Sequence, residues 1–125
     1  MKQITRNIDL NSAHDLLERI PRACIAFAHV DGPQAQPVTL MWRDNRYFVG
    51  LPETVDRPLG SGQEVVLLVD EGVYFFDLRA LYIRGSVQSA EAPTGASAGH
   101  SWFELIPLKT VAWDYGTLHE VNDER

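Results

Sequence analysis

Histidine, cysteine and arginine are the side chains of this sequence with the most chemistry to offer, and their spacing decides how much of it is usable. His14, His29, His100 and His119 fall on a helix-like segment, a strand, a loop and a tail, so only the accident of folding could bring them round one metal ion. Cys24 has no second cysteine for a disulfide or a zinc pair. Its apolar neighbours make it a small buried hydrophobe rather than a reactive thiol. There is no Gly-x-Ser-x-Gly and no glycine-rich phosphate loop, and Gly60-Ser61-Gly62 is too short to count as one. Two features remain. Arg57 lies in the Pro/Gly loop PETVDRPLGSG directly after a strand, where a guanidinium can take a phosphate with two parallel hydrogen bonds. A solvated surface charge is the other reading of the same residue. Trp113 and Tyr115, in VAWDYG, could stack on a planar ligand or pack in a core or a dimer contact.

The elements that must position these residues centre on 23–51. Ala23 to Val30 is almost wholly apolar, and Asp31-Gly32-Pro33 stops it with turn residues. Pro37 to Trp42 resumes the extended pattern, Asp44-Asn45 breaks it with residues that tolerate left-handed backbone, and Arg46 to Leu51 restores it. The expected arrangement is a meander whose first strand is apolar on both faces and needs cover on each. Before it, Ser12 and Asp15 read as a helix N-cap and its capping-box partner, with Leu16, Leu17 and Ile20 as one apolar stripe and Pro21 as the stop. Such a helix suits a lid on one barrel opening. After the meander, a helical turn is expected at Arg57-Pro58-Leu59 and a fourth strand at Gln63–Val69. Val73–Phe76 is expected to pair back or bridge onward. Leu78–Ala90 is the longest strand candidate, with Leu81, Ile83 and Gly85 on one face and Tyr82 and Arg84 on the other; Gly85 marks a bulge or a close backbone approach. A flexible connection at Ala92–Ser101 leads to two strands, Trp102–Ile106 and Thr110–Trp113, parted by Pro107.

The expected fold is mainly β: a split β-barrel of about six to seven antiparallel strands with one short N-terminal helix. Residues 1–125 make a single domain, with 1–10 as an N-terminal arm and 119–125 as a fraying tail. The 45% hydrophobic and 22% charged composition is that of a globular chain. A net charge of −6 with no basic cluster argues against nucleic acid as a partner. No run reaches the ~18 apolar residues of a membrane helix, and the N-terminus lacks the apolar stretch of a secretory signal. The expected location is cytoplasmic.

A helix ending before an Arg, a meander, a loop with a basic residue, an apolar strand EVVLLVD, the strand LRALYIRG and the closing ELIPLKTVAWD follow one another in a telling order. With Asp31-Gly32 and YFVGL, this order resembles the pyridoxamine 5'-phosphate oxidase-like split-barrel family over roughly Ile20 to Leu118. The resemblance implies a homodimer holding FMN, or in some branches a deazaflavin or haem, in a groove between subunits. It implies cofactor contacts from Pro37, Val38, Thr39, Met41 and Trp42 on the second strand, from Gly50 and Leu51 on the third, and from Arg57 at the phosphate. Trp113 would supply aromatic packing near the ring. The chain departs from the oxidases in several places. They carry an Arg and a Lys on the second strand and a basic pair in the loop, whereas this chain has Pro37 and Trp42 on the strand and Arg57 followed by Pro58 in the loop. Ala80 stands where they have a polar side chain near the flavin, and APTGASAGHS replaces a helix that walls the groove. Pyridoxamine-phosphate oxidation is therefore not expected. The expectation is an FMN-binding oxidoreductase-like protein of unknown substrate. The alternative is a dimer that has lost FMN and binds a deazaflavin, haem or another planar ligand, or serves a structural role.

Overall fold

A computed structural model of the chain describes residues 3–5, 7–20, 22–53, 59–74, 77–116 and 119–121. Ten strands run in chain order: β1 (Gln3–Thr5), β2 (Asn7–Ile8), β3 (Ala23–His29), β4 (Gly32–Pro37), β5 (Thr39–Arg43), β6 (Arg46–Pro52), β7 (Glu64–Glu71), β8 (Arg79–Ser89), β9 (His100–Asp114) and β10 (His119–Val121). Between β2 and β3 lie a 3₁₀ turn (Leu10–Ala13) and one helix, α1 (His14–Arg19). Seven strands form one antiparallel curled sheet in the order β4-β3-β7-β8-β9-β6-β5, with β2 added against β9. This is the expected half-barrel.

The strand order follows from turns and alternation. Asp44 and Asn45 both adopt positive φ (52° and 59°), the two-residue turn that matches the twist of a hairpin, and join β5 to β6. Along β7 and β8, Val65, Leu67, Val69, Leu81, Ile83 and Val87 point inward and are buried, with their neighbours outside. The inward set packs with Ile25, Leu40, Val49, Leu105 and helix residues Leu16 and Leu17 into one core.

Several expectations are corrected. The segment after Asp31 is strand β4 rather than an extended turn. Its inner face carries Gln34 and Gln36 instead of apolar residues, which hides its period of two, and Pro33 and Pro37 are tolerated because β4 is a sheet edge. The 23–51 stretch is thus no meander: β3–β4 and β5–β6 are separate hairpins at opposite ends of the sheet. The two strands expected around Pro107 are one, β9, because Pro107 falls opposite Gly85 at a register shift that leaves its missing N–H unused. Ser12 is no N-cap; it sits in the 3₁₀ turn, its N–H on the Asp9 carbonyl, and α1 starts without a side-chain cap. Val73 and Tyr74 form a bend whose N–H groups both donate to Asp77 Oδ1, while Phe75 and Phe76 lie outside the described residues. So do Arg57 and Pro58 of the expected helical turn, and Leu59 is buried in the core. His119–Val121, expected to fray, pair with Gln3–Thr5.

Helix α1 closes one end of the barrel and is fastened there by charge. Arg79 of β8 donates to both carboxylate oxygens of Asp15 (2.7 and 2.8 Å), to Glu71 Oε1 and to the Ser12 carbonyl. Arg19 bridges Asp15 and Glu71 at 2.6–2.8 Å. The guanidinium of Arg79, then that of Arg19, holds Asp15 well below the usual carboxylate range, and Arg19 followed by Arg79 does the same for Glu71.

Two outcomes follow from these contacts. A Cβ at Gly85 would lie 2.1 Å from the Ile106 carbonyl oxygen, so Gly85→Ala should cost about 2–4 kcal/mol in chemical denaturation. Because both carboxyl pKa values are lowered, the ion pairs contribute fully above the ordinary carboxylate pKa and are lost as pH falls through the folded values. Arg79→Ala should therefore remove about 1–2 kcal/mol at pH 7, small because Asp15 is half exposed, and should flatten the acid loss of stability measured between about pH 5 and 2.

Candidate functional site

The two edge strands of the sheet, β4 and β5, are consecutive in the chain and meet at Val38. There the chain leaves one edge and becomes the other, and the Val38 N–H donates to the Ala23 carbonyl at 3.1 Å, pinning the corner to β3. A groove of about 730 Å³ opens at this corner, a volume suited to a small-molecule site. Pro37, Val38, Thr39 and Leu40 form one wall, Cys24 and Leu68 the floor, and Ile20, after α1, the far side. Ile20 itself is held in left-handed backbone (φ 46°), its N–H on the Leu16 carbonyl. A second groove of about 440 Å³ continues past Ile20 and Leu40 to Met41, Trp42 and Arg43.

The cations around the first groove are already partnered. Arg19 binds Asp15 and Glu71, while Arg22 reaches Asp70 through Nε (3.1 Å) and the Gly72 carbonyl through Nη2 (2.8 Å). Arg43, in the second groove, donates to the Thr94 carbonyl. Cys24 is only partly buried and lines the groove, against the expectation of a fully buried residue. Burial, and then the charge of Asp70, push its thiol pKa up, so it stays a thiol at neutral pH. The indole N–H of Trp42 is buried without a protein partner, and its ring tilts against His14 at 5.5 Å. Among the described residues no three His, Cys, Asp or Glu converge as metal ligands.

The expected cofactor residues divide accordingly. Pro37, Val38 and Thr39 come together in the first groove, and Met41 and Trp42 line the second. Leu51 is 2% exposed and belongs to the core. Gly50 gives its space to the Trp102 ring, which comes within 2.9 Å of where its Cβ would be. Trp113 is on the outer face of β9, tilted against Tyr82 at 5.9 Å, and lines neither groove. Arg57 lies outside the described residues. Sequence reasoning missed Arg19, Arg22, Cys24, Leu68 and Asp70: Cys24 and Leu68 face each other in the register of β3 on β7, Arg19 comes from the end of α1, and Arg22 and Asp70 flank that register. The alternation of small residues at Cys24, Ala26 and Ala28 was the one local signal of a shallow trough there.

The groove's apolar walls and volume fit a planar ring. Its described cations are neutralised by carboxylates, so a phosphate dianion would have to draw on other groups.

No protein-family model and no curated protein matches the sequence. Solved structures do match in shape. The FAD binding protein from Mycobacterium smegmatis superposes with a TM-score of 0.68 at 11% identity, covering 85% of this chain and 95% of that one. A Corynebacterium glutamicum protein provisionally named a pyridoxamine 5'-phosphate oxidase gives 0.63 at 10% identity over 90% and 94%. HutZ, the haem storage protein from Vibrio cholerae, gives 0.64 at 12% identity over 86% and 97%. With its curled seven-stranded sheet and, among the described residues, one short α-helix, the chain has the split-barrel fold of the pyridoxamine 5'-phosphate oxidase-like proteins.

Proposed function

We propose that this protein is a homodimeric flavin-binding protein of oxidoreductase type, holding FMN in the corner groove. The observation that carries this proposal is the corner groove of about 730 Å³ walled by Pro37, Val38 and Thr39, in a fold shared with FAD-binding proteins. Pro37, Val38, Thr39 and Leu68 would flank the ring, and Arg57 would take the phosphate. When bound, the flavin supplies hydride or electron transfer; the chain's own residues hold it and exclude water.

Dimerisation is supported by the outer face of the sheet. Leu68, Tyr82, Val111 and Trp113 lie side by side across β7, β8 and β9 and keep part of their surface exposed. A second copy would cover what α1, at the barrel end, does not reach. One observation favours haem as a second reading. Arg19 and Arg22 are bound to carboxylates, which leaves less charge for a phosphate, and HutZ has the same fold.

Absorbance and fluorescence titration with FMN, with haem and a deazaflavin in parallel, tests the proposal. Saturable FMN binding in the micromolar range or tighter is the expected result, and its absence overturns the flavin reading. Arg57→Ala should weaken FMN binding by about 1.5–3 kcal/mol without changing the melting temperature of the ligand-free protein. Unchanged affinity would remove Arg57 from the site. In sizing chromatography at micromolar concentration the protein should elute as a dimer, and a stable monomer would sink the interface.

A further inference from the structure

Among the described residues, Arg19, Arg22, Arg46 and Arg79 are in ion pairs and Arg43 donates to a carbonyl. Arg84 and Lys109 alone among the described Arg and Lys have no such partner, and they are not scattered. They stand directly opposite one another across β8 and β9, on the outer face, at the last register position before the Gly85 bulge. Residues so placed have Cβ atoms about 4.5–5.5 Å apart, and like charges there repel. A chain of net charge −6 thus places two unneutralised cations side by side.

Next to them is a hollow of about 350 Å³ lined by Ala26, Ala28, Pro33, Val66 and Arg84. Glu64 also lines it, yet forms no ion pair with Arg84. The hollow is separate from the corner groove, at the other end of the outer face of β3 and β7.

We propose that Arg84 and Lys109 form a clamp for a phosphoryl group, with the apolar hollow receiving the organic part of the ligand that carries it. The charges match, two cations to one dianion. The planar fork of Arg84 can take two oxygens while the Lys109 ammonium meets a third as a point charge. Binding would also relieve the repulsion between the two side chains. The phosphoryl group is that of a small ligand of its own, because the flavin reading above sets FMN in the separate corner groove with its phosphate at Arg57.

The test is thermal unfolding of wild type, Arg84→Gln, Lys109→Gln and, as a control at an ion-paired cation, Arg46→Gln in sodium phosphate against sodium chloride at equal ionic strength. Phosphate should raise the melting temperature of wild type and Arg46→Gln by about 3 °C and leave Arg84→Gln and Lys109→Gln unmoved. In chloride, Arg84→Gln and Lys109→Gln should each melt at or above wild type, since one like charge has gone. An equal phosphate effect in all four proteins, or none in wild type, overturns the clamp. Parallel titrations with FMN and riboflavin separate this site from the corner groove. An unchanged preference for FMN in Arg84→Gln, with the inorganic phosphate effect lost, is the expected result. A loss of about tenfold in that preference overturns the clamp as a site of its own. If FMN does not bind at all, the flavin reading fails while the phosphate comparison still decides the clamp.

Discussion

The hydrogen bond from Val38 to Ala23 is small, but the shape of the molecule depends on the corner it marks. A seven-stranded sheet with strong twist must either stay open or curl until its edges approach. Here the edges are joined covalently, because β4 and β5 follow one another with a single residue between them. The curl is therefore set by the chain itself, and the gap between the edges becomes the groove. The same constraint places the groove's floor on β3 and β7, strands distant in sequence from the wall residues Pro37 to Leu40.

The helix depends on that curl in turn. With six residues, α1 is too short to be stable by itself. It is held by burial of Leu16 and Leu17 and by the network that joins Asp15 and Arg19 to Glu71 and Arg79. Those last two residues face each other at the ends of β7 and β8, so the network also closes the hairpin beneath the helix. Its position beside Arg22 and Asp70 explains why the groove mouth is rich in charge yet offers so little of it to a ligand.

Much of this was legible in the sequence, because alternation and turn chemistry are local. The Asp44-Asn45 turn, the inward set of β8 and the bulge at Gly85 follow from a few neighbouring residues. What stayed hidden has a physical reason in each case. Gln34 and Gln36 place polar groups on the inner face of β4, so its hydrophobic pattern is blank. Pro107 breaks a strand only if its nitrogen is needed in the ladder, and the bulge decides that it is not. Gly50 looks like a site for close ligand approach until the register of β6 on β9 brings Trp102 against it. The groove was half visible: its wall on Pro37 to Thr39 lies in one segment, while Arg22 and Asp70 meet where β3 pairs with β7 and Arg19 comes from the helix docked beside them.

The two sheet edges differ in a way that bears on filament growth. Pro33 and Pro37 pair with β3 and cannot donate to it, so their nitrogens face the free side of β4, which is left short of donors. Along β5, Thr39 to Arg43 contains no proline, and its free side keeps its N–H groups. Head-to-tail stacking of one molecule on the next would have to join β5 to β4 at every step, and every such junction would meet the proline edge. Addition through β5 is better matched by another β5, which closes on itself as a pair. The prolines of β4 thus oppose open-ended growth through this sheet, although one edge is left chemically open.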